Sequence, residues 1–423
     1  MTFHEFGFTQ ELLEGIDAIG YNNATPIQEQ AIPAIMTGKD LIASAQTGTG
    51  KTAAFLLPIT NRIITSVGSN NIKCMVIVPT RELAIQIDQQ MQGFSYFTQV
   101  SSIPVYGGTA GPVFENERKS LSEGVDMVIC TPGRMLSHLK MGYVKLSTLS
   151  FLVLDEADRL LDMGFYDDII KIMTYLPKNC QKMLFSATMP AAIRQLARKA
   201  LVNPIEINIA TSKPAERVKQ EAAVVYDNQK TPLIEYILKQ KKLQSIMIFC
   251  STKDKTKQLT RELKKLRLSV DEMHSDIDQS AREAVLNRFK ARQLNILVAT
   301  DILSRGIDIE DIDLIINYDV PHDAEDYIHR VGRTARAASE GEAITLIGEK
   351  DHRRFGIIEE FIGKTIDKMV IPEQFGDCPS YNPVRKSKSN NKKKWNLGKR
   401  NQGKNNNRPR HDNKPQPNRK TNG

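Results

Sequence analysis

The sequence predicts an α/β protein built from two parallel sheets in tandem with a cleft between them, followed by an unfolded basic tail. Three observations predict this. Short apolar runs alternate with helix-like stretches, the alternation starts again after about residue 215, and basic charge is concentrated at the carboxyl end. In the first half, Asp40–Ala45, Lys73–Val78, Val125–Cys130, Phe151–Leu154 and Lys182–Phe185 read as buried strands, each followed by polar or glycine-containing turns. Helical patterns such as Arg81–Gln92 lie between them. Apolar runs without alternation suit parallel sheets covered by helices on both faces. Ser245–Cys250, Asn295–Ala299, Leu314–Tyr318 and Ala343–Ile347 form the second strand series. The polar, proline-containing stretch Thr211–Arg217 is the expected linker, which places the domains at 1–210 and 218–372 and the tail at 373–423.

A chain of 423 residues exceeds what one core usually supports, which fits two domains. No apolar run is long enough to span a bilayer, and Met1–Gln10 lacks the basic flank and apolar stretch of a secretory signal. The five cysteines (Cys74, Cys130, Cys180, Cys250 and Cys378) are odd in number and have no metal-like spacing. They read as free thiols in a reducing compartment, so cytoplasmic action is expected and membrane association is not. The net charge of +9 is an uneven average. Residues 381–423 carry fourteen Lys or Arg against one acid, Asp412, a local +13 that leaves −4 for the remainder. The tail has almost no apolar residues with which to build a core.

Ala45-Gln46-Thr47-Gly48-Thr49-Gly50-Lys51-Thr52 follows the strand DLIAS and precedes the apolar helix start AAFLLP. This is a phosphate-binding loop in its required setting, with Ala rather than Gly at the first position. Its glycines let backbone N–H groups turn toward phosphate oxygens, and the helix N-terminus adds partial positive charge. Lys51 can reach the outer phosphates, and the Thr52 hydroxyl can ligate Mg²⁺. The strand Phe151–Leu154 runs straight into Asp155-Glu156-Ala157-Asp158. Asp155 suits Mg²⁺, and Glu156 suits orienting and deprotonating an attacking water. A run of acids also suits a plain helix N-terminus, and pairing with the phosphate loop favours the catalytic reading.

At Asp155–Asp158 the sequence spells DEAD, and around it stand further motifs that resemble those of the DEAD-box RNA helicase family. Gly20–Gln28 resembles the family's adenine-reading Q motif, with Phe3 as the isolated aromatic before it. Then come Pro79-Thr80-Arg81-Glu82-Leu83, Gly107-Gly108, Thr131-Pro132-Gly133-Arg134 and Ser186-Ala187-Thr188. The second half supplies Gln279 with Arg282, Ala299-Thr300-Asp301, Arg305-Gly306-Ile307-Asp308, and His329 through Arg336. The resemblance spans roughly residues 3 to 348, in family order. The compact core and basic tail look most like the bacterial RhlE-type subgroup. One departure is that Ala335 and Ala338 stand where the family usually has glycine, while Arg333 and Arg336 remain.

The resemblance implies two RecA-like domains, ATP and Mg²⁺ as cofactors, and ATP hydrolysis stimulated by RNA. It implies that Gln28 reads the adenine edge, with Thr25 supporting the loop, Tyr21 beside the base and Phe3 in the same pocket. It implies that Arg333 and Arg336 act as arginine fingers and that Asp308 meets the ribose. Arg81, Gly108, Thr131, Arg134, Arg282 and Thr300 would line an RNA track read through phosphates and 2′-hydroxyls, not bases. Ser186, Thr188, Asp158 and His329 would couple the two sites. The expected activity is local unwinding or remodelling of RNA duplexes and RNA–protein complexes by a monomeric core, in ribosome assembly or RNA decay. Ribosomal particles or decay proteins are the expected partners of the tail. A DNA-translocating helicase, a bare RNA-stimulated ATPase, and an RNA-binding clamp or scaffold with a vestigial ATPase are the competing readings.

Overall fold

The computed structural model describes residues 1–46, 48–66, 71–108, 111–209, 218–241, 244–300, 312–334 and 341–383. Thr47, the linker 211–217, Asp308, Arg336 and the tail beyond residue 383 lie outside the described residues, so the expectations placed on them carry no structural account.

The first half forms one seven-stranded sheet from β1 (Leu41–Ser44), β2 (Cys74–Ile77), β3 (Ser102–Val105), β4 (Met127–Cys130), β5 (Phe151–Leu154), β6 (Gln181–Ser186) and β7 (Ile205–Asn208). The second half forms another from β8 (Val218–Val224), β9 (Ile246–Cys250), β10 (Val270–Met273), β11 (Ile296–Thr300), β12 (Leu314–Asn317), β13 (Gly341–Ile347) and β14 (Asp367–Lys368). Their orders are β3-β4-β2-β5-β6-β1-β7 and β10-β11-β9-β12-β13-β8-β14, with every pairing parallel. The second order is the first repeated strand for strand. Each sheet is a RecA-like domain.

The central strands are largely apolar because both faces are covered. On β2, Cys74 and Val76 enter the core on one face while Met75 and Ile77 enter the core on the other. On β5, Phe151 and Val153 pack on one side and Leu152 and Leu154 on the other. The second sheet repeats the device, with Met247 and Phe249 of β9 opposite Ile246, Ile248 and Cys250. A side-chain period of two across two helical layers produces four cores from two sheets. Parallel connection leaves all strand ends of one kind on the same edge, and ligands of such sheets bind beyond the carboxyl ends.

One boundary needs correction. The tail was placed from residue 373, but the chain stays packed on the second domain to Pro383. Gln229 donates its side-chain amide to the carbonyls of Phe375 (2.8 Å) and Asp377 (2.9 Å), and Tyr381 donates its hydroxyl to Glu359 at 2.7 Å. The Tyr381 ring also lies edge-on to Phe355 at 6.1 Å. Prolines and Gly376 give this stretch a loop-like composition, and widely spaced aromatics anchor it.

Candidate active site

The loops after β1, β5 and β6 meet because β6 lies between β1 and β5. After β1 the chain turns through Gly48 (φ 82°) and Gly50 (φ 89°), left-handed values that glycine adopts without strain, and enters the helix Lys51–Thr65. A Cβ on Gly50 would collide with the Gln28 side-chain amide, so only glycine fits beneath that residue. Gln28 is buried, accepts from the Thr25 N–H at 2.8 Å and donates to the Gly50 carbonyl at 3.1 Å. It therefore ties the adenine-motif helix Pro26–Met36 to the phosphate loop. An amide has two donors and two acceptor lone pairs, so one of each remains for a base. Thr49 donates to the Gln46 carbonyl at 2.7 Å, and the Ala45 N–H donates to Ser186 across the β1–β6 seam.

Tyr21 is half-buried, receives a hydrogen bond from Gln90 at 3.1 Å and packs its ring against Phe3 (5.9 Å) and Phe94 (5.5 Å). Phe3 differs from expectation. It is 1% exposed and belongs to the core with Phe6, so it supports Tyr21 and does not line the cleft.

The electrostatics suit a charged ligand with a cation. Lys51 is buried, and its ammonium caps the Ala45 carbonyl at 2.6 Å. Burial pushes the Asp155 carboxyl up to about 7 even against the attraction of Lys51. Glu156 sits at φ 47° in the left-handed region, and its buried Oε2 has no hydrogen-bond partner, the Arg159 guanidinium lying 3.8 Å away. A left-handed backbone and a buried oxygen without a hydrogen-bond partner at one residue mark Glu156 as a candidate functional carboxylate. Asp158 is the reverse. Burial opposes its charge, but Lys51 and its hydrogen bonds hold the carboxyl below its ordinary value. It accepts from the N–H groups of Ala187 and Thr188 and from the Thr188 hydroxyl, at 3.0, 3.0 and 3.1 Å. Ser186 donates to the Thr188 carbonyl at 2.7 Å, and its hydroxyl is also among the groups that hold the Asp158 carboxyl low.

The second domain reaches the same cleft. Lys51, Glu156, Asp158 and Arg159 line it from the first domain, and Glu325, His329 and Arg333 from the second. The helix Ala324–Val331 is fixed from behind by buried Arg330, which donates to Asn317 at 2.8 Å and to the Asp319 carbonyl at 3.3 Å. Arg159, Asp162 and Glu325 also line the cleft and were not anticipated. The first two follow the acidic run on the helix Ala157–Asp162, where their three-residue spacing places them on one helix face.

A second groove is lined by Arg81, Thr131, Arg134 and Arg282 together with Gly107, Glu82, Met163 and Phe165. The Arg81 guanidinium lies against Gly108 (φ 80°), where any Cβ would collide with it. Arg282 crosses from the second domain to Glu82 at 3.4 Å and donates to the Ser275 carbonyl at 3.0 Å. Four of the six expected track residues thus line this groove, and Gly108 lies beside it against Arg81. Thr300, buried at the end of β11, is not among the lining residues. Met163 and Phe165 were missed because they flank a turn at Gly164 that carries no phosphate-binding pattern.

Two sheets of one topology, the first with a phosphate loop and an acidic strand end and the second with an arginine aimed into the shared cleft, define a two-domain nucleotide hydrolase. Sequence comparison narrows the class. The pattern of the DEAD/DEAH box helicase family matches residues 25–196, and that of the helicase conserved C-terminal domain matches residues 229–338. The chain is 39% identical over 371 residues to the ATP-dependent RNA helicase CshA of Listeria monocytogenes, covering 88% of this chain and 70% of that protein. It is 37% identical to the ATP-dependent RNA helicase DbpA of Bacillus subtilis, covering 88% and 77%. Its fold superimposes on S. cerevisiae Dbp5 bound to RNA and ADP BeF3 with a TM-score of 0.78 at 29% identity, covering 87% of this chain and 95% of that one. The chain belongs to the DEAD-box family of ATP-dependent RNA helicases and is an RNA-stimulated ATPase.

Proposed function

We propose that this protein remodels RNA by local strand separation, with ATP and RNA jointly closing the cleft between domains 1–210 and 218–383. The observation that carries this reading is the cleft in which Glu156 and Lys51 of one domain face His329 and Arg333 of the other. Gln28 reads adenine with Thr25 and Tyr21 beside it, and Lys51 and the loop amides hold the phosphates. Thr52 and Asp155 would hold Mg²⁺, which when bound supplies positive charge to the phosphate oxygens. The buried Asp155, whose carboxyl is pushed up, and the Glu156 oxygen that has no hydrogen-bond partner fit such a group. Glu156 takes the proton of the attacking water, and Arg333 and Arg336 stabilise the charge that develops on the transferred phosphate. Asp308 meets the ribose, and His329 with Asp158 and Thr188 relays closure to the groove of Arg81, Gly108, Thr131, Arg134, Arg282 and Thr300. That groove binds RNA through its backbone.

The cellular setting we favour is ribosome assembly or RNA decay in the cytoplasm, by a monomeric core of the RhlE-type subgroup. The +13 charge of the tail raises affinity for long RNA, and Trp395 among its lysines suits stacking on a base. Glu156→Gln tests the catalytic reading. The amide keeps the shape but cannot take the proton, so ATP-dependent RNA binding persists while hydrolysis stops. Normal turnover in that variant removes Glu156 from its role.

A further inference from the structure

Beneath the RNA groove of the first domain lies a buried cluster that none of the motifs above contains. Its centre is Glu117, 2% exposed, on the helix Gly111–Glu123. One carboxylate oxygen, Oε2, accepts from Arg134 Nε at 2.7 Å, from Arg134 Nη2 at 2.6 Å and from His138 Nε2 at 2.9 Å. The other, Oε1, accepts from the backbone N–H of Tyr106 at 3.3 Å. His138 is fully buried, its ring stacked on Phe114 at 4.6 Å and 12°. With Nε2 donating to Glu117, the ring leaves Nδ1 to accept from the Tyr143 hydroxyl, so a neutral imidazole satisfies both neighbours. The Arg134 guanidinium lies over the same Phe114 ring at 4.5 Å.

The cluster joins two turns that are distant in sequence. Tyr106 leads into Gly107-Gly108 after β3, and Arg134 lies in the first turn of the helix Pro132–Lys140, capped by Thr131, after β4. Gly107, Thr131 and Arg134 all line the groove. A buried carboxylate bonded to several donors fixes them more tightly than exposed side chains could, because the low surrounding dielectric strengthens each charge-assisted bond.

We infer that Glu117, oriented by His138, is a positioning residue for RNA, holding the Gly107-Gly108 turn and the Thr131–Arg134 turn in the spacing that grips one stretch of backbone. This rests on the reading that the groove takes RNA phosphates. Glu117 and His138 would touch no RNA themselves. Their removal should weaken RNA binding and leave the ATP site of the same domain intact.

The test uses the full-length protein and a short oligouridylate. It measures three quantities: the RNA concentration that half-maximally stimulates hydrolysis, the KM for ATP, and kcat at saturating RNA. Glu117→Gln should raise the half-stimulating RNA concentration about tenfold with KM and kcat unchanged. His138→Phe keeps the stacked ring and loses both hydrogen bonds, and should raise it about threefold. Arg81→Ala, a direct groove residue, is the control. If Arg81→Ala raises the half-stimulating concentration and Glu117→Gln does not, the inference fails while the groove reading stands. If Arg81→Ala has no effect, the groove reading itself fails. A fall in kcat and thermal midpoint at unchanged half-stimulating concentration would mean that Glu117 only stabilises the fold, which also overturns the inference. Should Glu117→Gln not fold, His138→Phe decides by the same readout, because misfolded molecules lower kcat without moving that concentration.

Discussion

After β1 and after β8 the chain leaves its sheet, turns, and begins a helix whose first turn carries a lysine. After β5 and after β12 it places an aspartate beside that lysine, Asp155 in the first domain and Asp319 in the second. In the first crevice the loop contains three residues fit for phosphate (Gly48, Gly50 and Lys51), and burial lifts the Asp155 carboxyl to about 7. In the second, buried Lys230 lies 3.0 Å from Asp227 and 3.5 Å from Asp319, and Lys255 reaches Asp319 at 2.6 Å. The Ser251 N–H and hydroxyl donate to Asp319 at 2.9 and 2.8 Å. Burial opposes the Asp319 charge, but these partners hold its carboxyl below the ordinary value. One topology thus yields an electrostatically incomplete crevice that needs a ligand and a complete one that closes on itself. Function follows the loop chemistry, not the fold.

Breaking each lysine should separate the two crevices most clearly. Lys51→Ala should reduce ATP hydrolysis on the order of 10³-fold, while differential scanning fluorimetry finds the thermal midpoint within about 3 °C of wild type. Lys230→Met should do the opposite. Leaving Asp319 short of one buried partner should cost about 3 kcal/mol in urea unfolding, the low end of such losses because Lys255 and Ser251 still hold it. The folded variant should keep its KM for ATP. If Lys230→Met abolished ATP binding at full stability, the second crevice would be a working site and the comparison would collapse.

The raised Asp155 carboxyl sharpens the contrast through pH. Without metal, the folded chain keeps a proton there that the unfolded chain has released. That contribution to stability is complete below the unfolded value and is lost as pH rises to about 7. A bound cation displaces the same proton. The Mg²⁺ concentration for half-maximal hydrolysis should therefore rise by up to about tenfold per unit of falling pH below about 7 and level off above it. A flat profile from acid to neutral pH would mean that Asp155 is already charged.

The smallest effect expected is at Gln28. Because its amide already bonds Thr25 and Gly50, Gln28→Ala should both loosen the loop and reduce the preference for ATP over GTP, by about tenfold. An intact preference would assign adenine reading to another group.

The interior of the fold was legible in the sequence, and its margins were not. Every strand read from the sequence exists, because strands buried on both faces are apolar runs. The four at the sheet edges (β3, β7, β10 and β14) escaped notice. Sequences such as VDEM and IEIN are only partly buried there and carry polar residues that blur the pattern. β8 was missed for the same reason, its VKQE start being polar and only partly buried. In the site, the motifs read from order and spacing include Lys51, Glu156, Asp158 and Arg333, which line one cleft. Spacing could not show that Phe3 is core, since a lone aromatic near a terminus reads the same whether it packs or stacks. Nor could it find Glu117, an unremarkable acid in an amphipathic helix, because its partners come from two other segments.

The central claim is that hydrolysis is completed only when the second domain delivers an arginine to a phosphate held by the first. ATP turnover of wild type and of Arg333→Ala, each with and without saturating RNA, tests it most directly. The account predicts strong stimulation of the wild type, a loss on the order of 10³ in RNA-stimulated turnover for Arg333→Ala, and little change in the basal rate. Near-normal stimulated turnover in Arg333→Ala would contradict it, placing catalysis within the first domain alone.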